Sequence, residues 1–414
     1  MQSSPKALRL HIGIFGRRNV GKSSLLNALT RQESSIVSAI AGTTTDPVEK
    51  AMELLPVGPV LFIDTAGVDD AGVLGELRTE RTRHVFERTD MAIVVCASDG
   101  WSGFEEALLQ QFEARKTPVI VVFNKTDVRE PDPEALARLA AAQIRSVRTV
   151  APRREGILEL REAIIRSAPE EFVANPTILG DLLPAGEVAV LVIPIDLEAP
   201  KGRLILPQVQ TIRDILDSDA WCVVVKEREL AEALRRLTRK PKMVITDSQA
   251  FLRVAGDTPE DIWLTSFSIL FARLKGDLSE MVRGATHIDD LRPGDRVLVC
   301  EACAHHPIGD DIGRVKIPRW LMQYVGGELK FDHYSGHDFP SNISYYKLVI
   351  HCGACVHNRR EVLSRIAICR HLGVPISNYG LTIAYTLGIF ERALQPFPSA
   401  QDAYLEELKK RGGK

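Results

Sequence analysis

Four cysteines and three histidines fall into two tight groups in the last third of this 414-residue chain. The first group reads C-E-A-C-A-H-H-P and carries Cys300, Cys303, His305 and His306. The second reads H-C-G-A-C and carries His351, Cys352 and Cys355, with 48 residues between Cys303 and Cys352. A Cys-x-x-Cys pair lets one turn aim two thiolates at one ion, so two such pairs point to a metal. Two ligand sets fit these positions. All four cysteines make a zinc knob, although the intervening segment is longer than zinc spacings usually run. Cys303, Cys352 and Cys355, with His305 and His351 beside them, make instead an iron–sulfur site with one labile ligand position.

A second chemistry lies near the N-terminus, where G-R-R-N-V-G-K-S occupies residues 16–23 between an apolar run and a stretch of helical periodicity. A Gly-rich loop between strand and helix folds its N–H groups around phosphates, and the helix N-terminus adds partial positive charge. Gly16, Val20, Gly21, Lys22, Ser23 and Ser24 form this cradle, with Lys22 reaching the β- and γ-phosphates and Ser23 holding Mg²⁺. Thr44, in G-T-T-T-D-P, completes the Mg²⁺ shell, Asp64 is the carboxylate behind the metal, and the Gly67 N–H senses the γ-phosphate. N-K-T-D follows at 124–127. Asn124 and Lys125 belong to the base-binding loop. Asp127 accepts from both N1–H and the exocyclic amine of guanine, which adenine does not offer, so the nucleotide is GTP.

Residues 8–170 resemble the Era/TrmE-like branch of translation-factor-type GTPases, with these motifs in order. That resemblance implies K⁺ beside the phosphates at Asn19, supplying charge that an arginine finger supplies elsewhere. Two departures stand out. Val68 follows D-T-A-G where Ras-like enzymes place a water-orienting glutamine, so hydrolysis is expected to be slow. Val150-Ala151 replaces the usual Ser-Ala of the guanine-closing loop, leaving the Ala151 N–H to meet guanine O6 without a supporting hydroxyl.

Strands must deliver these loops. Apolar runs at 8–15, 60–63, 91–97 and 119–123 read as buried strands of an α/β nucleotide domain, with Cys96 as packing. Around 168–176 the chain turns polar and proline-bearing, a linker. Strand-like segments at 188–195, 221–225 and 243–246 alternate with helix-like ones at 209–216 and 229–237, which argues a small parallel α/β domain with Cys222 in its core. Strands at 296–299 and 346–350 then lead to Cys300 and to His351-Cys352. The polar segment 331–340, with His333 and His337, reads either as lining the site or as a solvated loop. Cys355 lies just before a helix whose positive end favours its thiolate, and Cys369 inside that helix reads as packing.

Bulk properties narrow the setting. With 45% hydrophobic and 26% charged residues, the chain has ordinary globular composition and is long enough for several domains. A net charge of −2 argues against nucleic-acid binding by bulk electrostatics. An odd count of 7 cysteines without a signal-like N-terminus indicates a reducing, cytoplasmic setting, and no apolar run is long enough to span a bilayer.

The combination of a GTPase domain, an α/β spacer and C-x-H…H-C-x-x-C resembles the [FeFe]-hydrogenase maturation GTPases, the HydF family. The resemblance implies an α/β protein of three parts: a P-loop GTPase domain at 1–172, an α/β dimerisation domain at 177–263 and a cluster-binding domain at 264–414. It implies a [4Fe–4S] cluster on Cys303, Cys352 and Cys355, with His305 or His351 as candidates for the fourth position. It also implies a homodimeric scaffold or carrier that receives a di-iron unit made with radical-SAM maturases and delivers it to apo-[FeFe]-hydrogenase. The competing expectation is an Era/TrmE-like GTPase with structural zinc, acting in ribosome or tRNA maturation.

Overall fold

The computed structural model describes residues 6–30, 48–65, 80–97, 100–169, 172, 177–195, 204–302 and 311–412. The chain divides into two compact units, Met1–Pro176 and Thr177–Lys414.

In the first unit, β1 (Leu10–Phe15), β2 (Val48–Leu54), β3 (Gly58–Asp64), β4 (Met91–Ala97), β5 (Val119–Asn124) and β6 (Arg145–Thr149) form one sheet in the order β2-β3-β1-β4-β5-β6. All pairings are parallel except β2 with β3. β1, apart from His11, and β4 are apolar, and all but Ala97 of their residues are buried, as strands covered on both faces must be. Helices pack against each face: Leu25 and Leu29 on one side, Phe86, Leu108 and Phe112 on the other. Asp64, Asn124 and Thr149 thereby end at the same, C-terminal edge of the sheet.

The second unit holds two four-stranded sheets with the same topology. β7 (Val188–Val192), β8 (Trp221–Val225), β9 (Met243–Thr246) and β10 (Trp263–Ser266) are ordered β10-β9-β7-β8. β11 (Arg296–Glu301), β12 (Lys330–Ser335), β13 (Leu348–His351) and β14 (Ile376–Asn378) are ordered β12-β11-β13-β14. Every pairing in both is parallel. In each sheet the second strand lies to one side of the first and the third to the other, so a crevice opens between the first and third strands at their C-terminal ends. One continuous core, from Leu179 and Val190 through Phe271 to Val349 and Ile366, joins the two sheets. Leu264–Ser266, expected with the last domain, pair through β10 with β9 in the middle sheet. Among the described residues, no helix is long and apolar enough to cross a membrane.

Two local expectations are corrected. Segment 331–340 is no simple loop, because Lys330–Ser335 form edge strand β12; its half-exposed, polar side chains conceal the strand pattern. Cys300 does not lie beyond its strand but inside it, paired in register with His351 and Tyr334.

Candidate nucleotide and metal sites

The turn after β1 is a phosphate-sized cradle held open by backbone conformation. Gly16 and Gly21 have φ of 147° and 97°, values an L side chain rarely adopts. A Cβ on Gly16 would collide with the Val95 carbonyl oxygen, and one on Gly21 with the Asn124 amide. Lys22 opens the helix Lys22–Thr30, is buried, and donates from Nζ to the carbonyls of Gly16 (2.9 Å) and Arg17 (2.8 Å). Burial lowers its pKa and nearby Asp64 partly restores it. Ser23 Oγ donates to Asp64 Oδ2 at 2.6 Å, while Asp64 Oδ1 is buried with no hydrogen-bond partner. Burial raises the Asp64 pKa against the opposing effects of Ser23 and Lys22. A hydroxyl and a carboxylate with one orphaned oxygen, beside a phosphate cradle, fit Mg²⁺.

The base-binding loop is tied directly to that cradle. Asn124 Nδ2 donates to the Val20 carbonyl at 2.9 Å, and Lys125 Nζ donates to the Asn19 carbonyl at 2.7 Å. Asn124 Oδ1 accepts from Thr149 Oγ1 (3.0 Å) and from the Ala151 N–H (3.2 Å). The Ala151 N–H, expected to face guanine, is therefore held by Asn124. Asp127 is exposed, with Arg153 at 3.6 Å. Asn19 is exposed and Ser24 follows Ser23 on the first helical turn. Thr44, Gly67 and Val68 lie outside the described residues.

At the third sheet, the loops after β11 and β13 leave the two strands that flank the crevice. The Cys352 N–H donates to the Cys300 carbonyl at the end of β11 (2.9 Å), and the two loops meet where the Ala302 N–H donates to Cys352 Sγ (3.0 Å). A further N–H, from Ala354, reaches Cys352 Sγ at 3.4 Å. Backbone N–H groups aimed at sulfur stabilise a thiolate ligand and tune the metal it holds. Cys352 and Cys355 are partly buried and unbridged. These features fit an iron–sulfur or other thiolate-bound metal. Cys303, His305 and His306 lie outside the described residues. Burial pushes the Cys355 thiol up, opposed by backbone hydrogen bonds and the Lys275 ammonium.

Cys300 is separated from this arrangement by its orientation. It is fully buried in the core beside Cys369, and burial pushes its thiol up to about 12. The four-cysteine zinc set requires a sulfur that the β11 pleat turns inward.

His351 is engaged at both ring nitrogens. Its Nδ1–H donates to the Cys352 carbonyl at 3.0 Å, and Arg365 donates to Nε2 at 3.0 Å. Burial pushes its pKa down to about 4, fixing a neutral ring. Ligation by His351 would require Arg365 to leave. Arg365, fully buried, also donates to the Gly336 carbonyl (2.8 Å) and Glu361 Oε1 (2.9 Å). Burial works against the Glu361 charge, but the His337 hydrogen bond and Arg365 hold that carboxyl far below its ordinary range. This polar group was missed in sequence because its members are spread over 337–365, although His357 and Glu361 stand four residues apart, a spacing that could have flagged them. His333 stands apart, at the Gly313 carbonyl.

Phosphate cradle, Mg²⁺ pair and Asn-Lys-x-Asp loop together define a P-loop GTPase. Residues 11–125 match the 50S ribosome-binding GTPase family. The chain is 36% identical over 185 residues to the tRNA modification GTPase MnmE of Bacillus thuringiensis, covering 42% of this chain and 40% of that protein. It is 39% identical over 130 residues to GTPase Der of Sulfurimonas denitrificans, covering 30% of this chain and 26% of that one. These matches span well under half the length of either relative. A solved G domain of the T. maritima FeoB iron transporter aligns with 39% of this chain and 99% of its own at 27% identity, with a TM-score of 0.32.

The remainder of the chain decides the family. Residues 178–276 match the hydrogen maturase F dimerization domain and 279–396 the hydrogen maturase F tetramerization domain, together more than half of the chain. The protein belongs to the hydrogen maturase F family. The zinc-bearing ribosome or tRNA GTPase is not favoured, since the matches to those relatives cover only 30% and 42% of this chain.

Proposed function

We propose that this chain is a GTP-hydrolysing scaffold or carrier of [FeFe]-hydrogenase maturation, acting in the cytoplasm. The observation that carries the reading is one chain joining a P-loop GTPase unit to hydrogen maturase F domains with a thiol-bearing crevice at the third sheet.

In the nucleotide site, Lys22 exchanges its loop carbonyls for β- and γ-phosphate oxygens, and Ser23 with Asp64 takes Mg²⁺. Thr44 completes the Mg²⁺ shell, and the Gly67 N–H senses the γ-phosphate. Asn19 contributes to a K⁺ site beside the phosphates. Asp127 reads guanine after Arg153 yields it. Hydrolysis is slow because Val68 orients no water.

Cys303, Cys352 and Cys355 hold a [4Fe–4S] cluster, which when bound supplies an iron with an exchangeable fourth position. His305 remains a candidate for that position, whereas His351 orients the Cys352 loop through its own hydrogen bonds. The cargo is a di-iron unit received from radical-SAM maturases and passed to apo-[FeFe]-hydrogenase. Self-association uses the edge of the middle sheet, where Trp221 and Val224 on β8 are 67% and 46% exposed.

The test is iron, sulfide and zinc content after anaerobic purification, with an EPR spectrum of the reduced protein. A [4Fe–4S] signal lost in Cys303→Ser, Cys352→Ser and Cys355→Ser but kept in Cys300→Ala is expected. A colourless zinc protein that also needs Cys300 would overturn it.

A further inference from the structure

Beside the thiol loop, but built from different side chains, His337, His357 and Glu361 converge. His357 is 1% exposed, and neither of its ring nitrogens has a hydrogen-bond partner. A buried polar group left unpaired costs on the order of 1–3 kcal/mol, so its persistence asks for a partner. Its Nδ1 lies 3.4 Å from Glu361 Oε1, too long for a good hydrogen bond. The His337 ring stacks on it at 5.2 Å and 16°, with His337 Nδ1 at 3.1 Å from both Glu361 oxygens. One donor atom from each of the three side chains lies within 4.8 Å of the others.

We propose that His337, His357 and Glu361 form a second metal site, for a divalent transition-metal ion such as Zn²⁺ or Fe²⁺. Two imidazoles and one carboxylate are a common donor set for such ions, and nitrogen ligands argue against Mg²⁺ or Ca²⁺. Ligands about 2.0–2.1 Å from a tetrahedral ion stand about 3.3 Å apart, close to the observed Glu361 contacts of 3.1 and 3.4 Å. The ion gives His357 the partner it lacks. Loading requires the His337 tautomer with its proton on Nε2, so that Nδ1, the ring nitrogen facing Glu361, is a ligand.

The surroundings suit an exchangeable ion. Asn358 caps the helix Arg359–His371 by accepting from the Glu361 N–H, which fixes the carboxylate on its first turn. Arg365 bonds Glu361 Oε1 from behind, as outer partners of metal carboxylates do. Its positive charge also weakens cation binding. The His337 side chain is 46% exposed, leaving an entry path and room for water as a fourth ligand. The site does not depend on the cluster assignment above, since it uses none of the cysteines.

Anaerobic Co²⁺ titration of the nucleotide-free, full-length protein tests this. Cobalt on histidine and carboxylate shows weak visible bands, whereas cobalt on cysteine adds intense near-ultraviolet charge transfer. We expect the Cys303→Ser/Cys352→Ser/Cys355→Ser variant to bind one Co²⁺ without the sulfur band. Zn²⁺ should displace that ion. In the otherwise unaltered chain, His337→Ala and Glu361→Gln should each weaken the non-sulfur binding at least tenfold, on the order of losses seen when metal-site residues are altered. His337 is half-exposed, so its variant should fold, as a melting curve will verify. Non-sulfur cobalt binding that survives both substitutions, or sulfur-only binding in the unaltered chain, overturns the proposal.

Discussion

The phosphate cradle of the first sheet and the thiol crevice of the third both occupy the C-terminal ends of parallel strands, yet they are made from different parts of the chain. The cradle is built largely of backbone: Gly16 and Gly21 adopt positive φ, and Lys22 and Lys125 hold the loop through its own carbonyls. The crevice relies on side chains for its chemistry, with Cys352 Sγ and the His337, His351, His357, Glu361 and Arg365 group at the strand end, although backbone N–H groups also reach the sulfur. A backbone site tolerates no added Cβ but recognises any phosphate chain. A side-chain site tolerates backbone change but depends on each functional atom. The middle sheet sharpens the lesson, since it has the topology of the third sheet and none of its cysteine pairs. Topology opens a crevice; residue type decides its chemistry.

The contrast can be broken most decisively at Gly16. Gly16→Ala forces a Cβ into the Val95 carbonyl and should weaken nucleotide binding about 100-fold, the size of loss that a misplacement of about 1 Å can cause. Fluorescent-GDP titration measures this, and near-normal affinity would mean the cradle is less rigid than described. Next comes Arg365→Met, which leaves Glu361 buried without its cation and should destabilise the C-terminal unit by roughly 3–5 kcal/mol. Chemical denaturation should show most of that loss recovered when Glu361→Gln is added. A loss unchanged in the double variant would place the role of Arg365 in packing alone.

Smaller effects sharpen the comparison. Cys300→Ala removes a core sulfur and should cost about 1 kcal/mol while leaving metal content unaltered. Metal loss there would return Cys300 to the ligand set. The smallest effect is expected at Gly353, inside the cysteine pair, where an added Cβ would come no nearer than 3.8 Å to Ser268. Gly353→Ala should keep iron content and melting temperature, in direct contrast to Gly16→Ala. If it emptied the site, the thiol loop would prove to be a backbone device as well.

Local motifs were legible because their chemistry is encoded within a few residues. The turn after β1, the Asp64 strand end and the Asn124 loop each carry their geometry in neighbouring glycines and polar residues. The Cys-x-x-Cys pairs announced a metal for the same reason. Their orientation was not legible: the spacing of Cys300 and Cys303 is silent on which sulfur the β11 pleat turns into the core. Edge strand β12 escaped notice because solvent on one side lets polar residues replace the apolar alternation.

What the amino-acid sequence determined by itself was the set of reactive groups and the short loops that aim them, since those depend on neighbours within one turn. Tertiary structure alone decided which groups meet. The parallel pairing of β11 with β13 brings Ala302 to Cys352 across 50 residues, and one buried guanidinium, Arg365, gathers Gly336, His351 and Glu361. Such meetings follow from sheet register and core packing, which are summed over many distant residues and leave no mark at any one position.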